Sequence, residues 1–514
     1  MKRTIAIHPF LFALFPILFL FAYNIGQVSF SEILLPSAIV LGFTTVALFI
    51  LWLILKRDIK KSAILVSAFL ILFFSYGRIY NLIQDWQIGS FMIGRYRYLM
   101  IVWVILFITG VYYTIRTRKD LHNFTNILNV IAICLVIISL VNIGIYEFKT
   151  RGAVVNNPDK KYNEISTSKD NAVYPDIYYI ILDGYASSNT LNEVFGYDNH
   201  EFIDYLSDKG FYIADKSRSN YTITFLSLAS SLNMEYINYL SDKLGKESDD
   251  RRVPYQMIKN NMVMNFLKSK GYKFINFSSG WGPTDDNQYA DLNITFSGLD
   301  EFQTELVQTS MLDAFANKYF LRDSAREKVL NAFSKLAEIY KIKGKKFIFA
   351  HIICPHPPYL FNANGGIVEG AKIDIGDNWK RKEYYVNQLI FINKKVKVMV
   401  DEILSKSEVP PIIILQADHG SASTFLSSGL EYDKKIGLTE NMLRERMGIF
   451  NAYYLPSGGD NILYDSITPV NTFRFIFNYY FKTNYNLLDD KIYFSNDKYP
   501  YNFIDVTDLS IGRS

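Results

Sequence analysis

Five apolar stretches crowd the first 150 residues of this 514-residue chain, and no other feature restricts its folding so severely. They run over 7–24, 33–55, 62–80, 98–115 and 127–146. Each comes close to the roughly 20 apolar residues that a helix needs to cross a bilayer, where backbone polar groups must be satisfied within the helix itself. Pro16 lies inside the first stretch, which a bundled membrane helix tolerates. That stretch is too long for a secretory signal core, and no small-residue cleavage site follows it, so it reads as a retained span.

Charge in the short loops sets the expected orientation. Lys2 and Arg3 precede the first stretch, Lys56, Arg57, Lys60 and Lys61 separate the second from the third, and Arg116, Arg118 and Lys119 follow the fourth. The alternate loops hold only Arg78, Arg95 and Arg97. The positive-inside rule therefore places the N-terminus in the cytoplasm, and five spans place everything beyond about residue 150 outside. An interfacial 62–80 would make the count even, but would put basic loops on opposite sides. Trp86 and Trp103, near span ends, suit an interfacial aromatic belt.

The division expected from these patterns is a transmembrane domain over 1–148, a linker over 149–175 and a catalytic domain over 176–514. The stretch GAVVNNPDKKYNEISTSKDNAVYPD (152–176) is polar and aperiodic. Beyond it, IYYIIL (177–182), YKFINF (272–277), KFIFAHI (346–352), PIIIL (411–415) and FNAYYL (450–455) read as strands buried on both faces. Stretches with helical spacing, such as 255–271 and 382–404, lie between them. The fold class is thus α/β, with a mostly parallel central sheet covered by helices on both faces. A net charge of +4 gives no case for nucleic acid, and two cysteines, Cys134 and Cys354, give none for a disulfide framework.

Three strand ends carry metal-competent groups. IYYIIL leads into Asp183-Gly184, KFIFAHI contains His351 and is followed by His356, and PIIIL leads into Asp418-His419-Gly420. Such groups gather past the carboxyl ends of parallel strands. Singly, each is an ordinary turn or loop residue, but three of the chain's six histidines fall at two of these ends. Carboxylates with imidazole suit Zn²⁺ or Mn²⁺ better than Ca²⁺. SNYTITFLSLASSLNM (219–234) offers a hydroxyl nucleophile at Thr222 or Thr224.

The ordered set of Asp-Gly, hydroxyl, H-x4-H-x-P and D-H-G resembles the alkaline phosphatase/sulfatase superfamily over most of 175–480. With the apolar anchor it resembles, more narrowly, lipoteichoic acid synthases and lipid A phosphoethanolamine transferases. That resemblance implies an alkaline-phosphatase-like extracytoplasmic domain on a plasma-membrane (inner-membrane) anchor. It also implies transfer of phosphoethanolamine or phosphoglycerol from a membrane phospholipid to a glycan or lipid acceptor, through a phosphothreonine. Carried over by position, Asp183, Thr224, Asp418 and His419 would hold one divalent metal. Thr224, favoured over Thr222 by its spacing to the following helix, would be the nucleophile. His356 would contact the phosphoryl group or protonate the leaving alkoxide. His351 would be a further catalytic residue or a hydrogen-bonded core histidine. No C/S-x-P-x-R occurs, so formylglycine chemistry is not expected, and no histidine follows His419, so a single metal is. The same residues would serve a phosphodiesterase or phosphatase with water as acceptor. A non-catalytic scaffold that kept the fold is the remaining alternative.

Overall fold

The computed structural model describes residues 5–84, 86–89, 91–154, 174–316, 320–368, 379–424 and 438–509. The chain divides into two compact units, residues 1–152 with 299–321, and residues 153–298 with 322–514. Most of the linker expected over 149–175 lies outside the described residues.

In the first unit all five apolar stretches are helical: α1 (His8–Tyr23), α2 (Leu34–Ile54), α3 (Ile59–Ile83), α4 (Tyr96–Arg116) and α5 (His122–Val154). Four helices, α2 to α5, are long and apolar enough to cross a membrane. The 16 residues of α1 reach only about 24 Å, short of the about 30 Å of hydrocarbon. Asn129 of α5 caps the start of α1. Its Oδ1 accepts from the Ile7 and His8 N–H groups at 3.1 and 3.0 Å, and its Nδ2 donates to the Ile5 carbonyl at 2.9 Å. Ala13, Ile17, Leu20 and Phe21 of α1 bury against Val66, Leu70 and Phe74 of α3. Of the two tryptophans assigned to an interfacial belt, Trp86 is exposed, but Trp103 is buried against Tyr76 and donates its Nε1–H to the Leu72 carbonyl at 2.9 Å. It packs the bundle instead, because its ring finds both an apolar slot and an acceptor there.

Residues 299–321 belong to this first unit, although their sequence position lies within the expected catalytic domain. The helix Glu301–Gln308 is amphipathic, and its Phe302 and Leu306 join the apolar cluster of α1, α2 and α3.

The second unit is built on a seven-stranded sheet of β1 (Ile177–Leu182), β2 (Tyr212–Ile213), β3 (Lys273–Phe277), β4 (Leu292–Ile294), β5 (Lys346–Ile352), β6 (Ile412–Gln416) and β7 (Asn451–Tyr454). The strand order is β2-β7-β6-β1-β5-β3-β4. Five strands from β6 to β4 run parallel, while β7 is antiparallel to both β6 and β2. Every residue of β1 is fully buried, and alternate residues feed two cores. Tyr178, Ile180 and Leu182 pack with Leu389, Ile392 and Val396 of α7 (Lys382–Lys406). Ile177, Tyr179 and Ile181 pack with Phe225, Leu228 and Leu232 of α6 (Thr224–Asn233) and Phe473 and Phe477 of α9 (Pro469–Phe481). Burying each such side chain is worth about 1.5–3 kcal/mol, so a strand apolar on both faces belongs at the centre.

Two sequence expectations change. The helix expected over 255–271 is two, Arg252–Lys259 and Met262–Ser269. The break falls at Asn260-Asn261, where the Asn261 side chain accepts from the Met264 N–H at 2.7 Å and caps the second helix. Strands β2 and β4, two and three residues long, have no apolar run to announce them.

Candidate active site

The three neighbouring strands β6, β1 and β5 end at one edge of the sheet. Their register sets Ile181 opposite Gln416 on one side and His351 on the other. Asp183 follows β1, Asp418 and His419 follow β6, and His356 follows β5. Parallel pairing thus closes a sequence separation of more than two hundred residues into hydrogen-bonding distance.

Asp183, His351, Asp418 and His419 are all buried. Asp183 Oδ2 lies 3.1 Å from His351 Nε2, and Asp183 Oδ1 lies 3.6 Å from His419 Nε2. Asp418 Oδ2 is 3.3 Å from the same His419 nitrogen, while Asp418 Oδ1 accepts from the Gly184 N–H at 3.1 Å. His419 Nδ1 is 2.9 Å from the Gly420 carbonyl oxygen. That contact assigns the proton to Nδ1 and leaves a lone pair on Nε2, aimed at the carboxylates. Thr224 stands partly exposed at the first turn of α6, its Oγ1 3.1 Å from His419 Nε2. Thr222 is fully buried: its hydroxyl donates to the Ser495 carbonyl at 2.6 Å and accepts from the Ser495 N–H at 3.2 Å.

The donor chemistry fits a divalent cation. Asp183 Oδ1 and Asp418 Oδ2 are buried and accept no hydrogen bond from any described residue. Ligand atoms of Asp183, His356 and His419 lie within 4.8 Å of one another, as do those of Asp183, His351 and Asp418. Two buried carboxylates beside an imidazole lone pair are costly without a compensating charge. The electrostatics agree. Burial alone would raise the Asp183 carboxyl, but His356, the His351 hydrogen bond and His419 hold it well below the usual carboxylate range. Burial first, and Arg446 next, lower the His419 imidazole against the pull of Asp418 and Asp183.

His351 has both ring nitrogens engaged, Nδ1 with the Thr284 hydroxyl at 2.9 Å and Nε2 with Asp183, and it does not meet Thr224 directly. His356 donates from Nδ1 to the Pro357 carbonyl at 2.6 Å, and its ring stands edge-on to Trp379 with centroids 5.0 Å apart. Its ring centroid lies 5.9 Å from that of His419.

Both motif glycines have steric reasons. Gly184 adopts φ +70°, and a Cβ there would come 2.7 Å from the Trp379 ring. A Cβ on Gly420 would lie 2.1 Å from the Glu445 carbonyl oxygen.

Sequence reasoning missed the residues that brace these loops. Arg446, buried on α8 (Glu440–Met447), donates from Nε to the Thr222 carbonyl at 2.9 Å and from Nη1 to the Gly420 carbonyl at 3.1 Å. Glu445 beside it accepts from the Ser421 hydroxyl at 2.7 Å and from the Ser423 and Thr424 N–H groups at 2.6 and 2.9 Å. Trp379 closes the floor under Gly184 and His356. Nothing in ENMLRERM marks a Glu-Arg pair as buried, because it reads as an ordinary charged surface helix.

No protein-family model matches the chain, and no curated protein matches it either. Among solved structures it is similar to the C-terminal periplasmic domain of EcEptC from Escherichia coli, at 14% identity and a TM-score of 0.42, over 66% of this chain and 95% of that one. It is also similar to the integral membrane protein lipooligosaccharide phosphoethanolamine transferase A (EptA) from Neisseria meningitidis. That match has 11% identity and a TM-score of 0.37, over 88% of this chain and 89% of that one. A third is the phosphonate monoester hydrolase of Agrobacterium radiobacter, at 10% identity and a TM-score of 0.39, over 62% and 80%.

Proposed function

We propose that this chain is a membrane-anchored enzyme that transfers a phosphoryl head group, phosphoethanolamine or phosphoglycerol, from a phospholipid to a glycan or lipid acceptor outside the cell membrane. Thr224 becomes transiently phosphorylated. One observation carries this reading: a partly exposed threonine hydroxyl lies 3.1 Å from the unprotonated nitrogen of a buried histidine that two buried carboxylates flank. A structural threonine has no need of that setting. Thr222, satisfied by Ser495, is an example of one.

Asp183, Asp418, His419 and the Thr224 oxygen would hold one divalent ion, zinc or manganese. Such an ion supplies Lewis acidity, easing ionisation of the hydroxyl and offsetting charge on the phosphoryl oxygens. The remaining work belongs to the chain. His351 holds Asp183 through Nε2 and is itself fixed by Thr284, so it serves as a positioning residue. Thr224 opens α6, whose positive dipole end favours the anionic ester that forms there. The Thr224 Oγ–P bond forms as the bond from phosphorus to the diacylglycerol oxygen breaks. The Thr224 proton leaves to solvent on ionisation. His356, its Nδ1–H committed to Pro357, would act as the imidazolium, giving its Nε2 proton to the departing oxygen and, as the neutral ring, then accepting the acceptor hydroxyl's proton. In the second half the acceptor oxygen displaces Thr224. The anchor is read as multi-pass with a cytoplasmic N-terminus and the catalytic unit outside, so enzyme and lipid donor share one membrane.

The test is peptide mass spectrometry of the full-length protein after incubation with defined phospholipids. A head-group phosphate on Thr224, absent from Thr224→Ala and discharged on adding an acceptor, supports transfer. Discharge by water alone at the same rate makes the enzyme a phosphodiesterase. An adduct on Thr222 overturns the nucleophile, and no adduct on either sinks the covalent mechanism.

A further inference from the structure

Residues 299–321 leave the second unit after 298, join the first and return at 322. Their attachment reaches into the backbone of α3. The Gly77 N–H donates to the Thr309 carbonyl at 3.1 Å, and the Met311 N–H donates to the Phe73 carbonyl at 2.8 Å. Phe73 and Gly77 are four apart, so the segment inserts where α3 would otherwise bond to itself. Glycine permits this, since a Cβ on Gly77 would stand 2.1 Å from the Gln308 carbonyl oxygen.

The depth of this insertion follows from helix geometry. The 25 residues of α3 span about 37 Å, against about 30 Å of hydrocarbon. Gly77 lies six residues, about 9 Å, from the carboxyl end of α3, close to the hydrocarbon boundary on that side. At the same level α1 ends short, and the helix Glu301–Gln308 covers its end. Phe302 and Leu306 pack with Leu20, Phe21 and Ile25, and Asn24 Nδ2 donates to Glu305 Oε2 at 3.2 Å. Just past the docking point Leu312, Phe315 and Phe320 are exposed by 47, 57 and 47%. Tyr23, Phe30 and Trp86, at the adjoining helix ends, are more exposed still. Aromatic and apolar side chains at span ends are the composition of a bilayer interface.

We infer that residues 299–316 form a re-entrant interfacial element whose Leu312 and Phe315 enter the phospholipid bilayer. Helices α2 to α5 of the same unit are long and apolar enough to cross a membrane and expose apolar side chains such as Phe43, Phe49, Ile105 and Ile138, and lipid is therefore the partner of this face. Irregular backbone at that depth is permitted because α3 satisfies it. The reading is independent of the chemistry at Thr224.

The test uses full-length protein in liposomes, with Cys134→Ala so that a single fluorescent label goes to Phe315→Cys or Leu312→Cys. Ile367→Cys, exposed on the second unit, is the control. Shallow lipid-borne quenchers should reduce emission from 312 and 315 several-fold while leaving 367 unchanged. Adding Gly77→Ala, which restores the α3 ladder and collides with Gln308, should abolish that quenching. Emission at 312 and 315 no more quenched than at 367 overturns the proposal. So does cross-linking of 315 to its counterpart in a second copy with no quenching. Quenching that survives Gly77→Ala overturns the docking at α3.

Discussion

Replacing Arg446 with methionine removes at least two hydrogen bonds from a charged donor, to the Thr222 and Gly420 carbonyls at 2.9 and 3.1 Å. Those carbonyls belong to the two loops that carry Thr224 and His419, so the guanidinium braces Thr224, the proposed nucleophile, against His419. Hydrogen bonds to charged groups contribute about 1.5–3 kcal/mol each. The Gly420 oxygen keeps its bond from His419 Nδ1, and the methionine stem retains part of the packing. A net loss of about 3 kcal/mol is therefore expected, towards the lower end of the two-bond sum. At about 2 °C per kcal/mol for a unit of this size, the melting point of the full-length protein in detergent should fall by about 6 °C. Bound metal should change little, since Asp183, Asp418 and His419 remain, whereas Thr224 phosphorylation should fall by an order of magnitude or more, because small misplacement at a reacting oxygen is costly. Arg446→Lys keeps the charge but lacks the planar fork that reaches both carbonyls, so it should recover stability in part and phosphorylation hardly at all. An unchanged melting point for Arg446→Met would refute the brace. A lowered melting point with wild-type phosphorylation would show that the brace is structural only.

Two further perturbations separate the remaining roles. Thr222→Ala leaves the Ser495 N–H and carbonyl unpaired in a buried site and should cost about 1–3 kcal/mol in thermal unfolding, while the Thr224 adduct still forms. Zinc or manganese at a hundredfold excess over its dissociation constant should stabilise the chelator-stripped protein by about 2.7 kcal/mol. In Asp183→Asn the stabilisation should be lost, and elemental analysis should find the metal gone.

The legible part of the site is the part that parallel-sheet physics forces to announce itself. A strand buried on both faces is a continuous apolar run, so Asp183 and the Asp418-His419 pair stand out by interrupting one. Their meeting then follows from β1 lying between β5 and β6. The antiparallel direction of β7 was not legible, because FNAYYL has the same composition whichever way it pairs. The break at Asn260-Asn261 had a local signal, an asparagine able to cap, but the apolar spacing continues across it. Arg446 and the 299–321 segment were hidden for a common reason. Each lies in an amphipathic stretch whose pattern reports that one face is buried but not what covers it. For EFQTELVQ the cover is α1, α2 and α3, and for ENMLRERM it is an apolar core shared with β1 together with the loops that carry Thr224 and His419. Hydrophobic period encodes burial and charge encodes exposure, so a buried arginine that donates to main-chain oxygens of two loops is misread by both. Its placement is decided by where unsatisfied carbonyls converge, and that convergence exists only after the strands have paired.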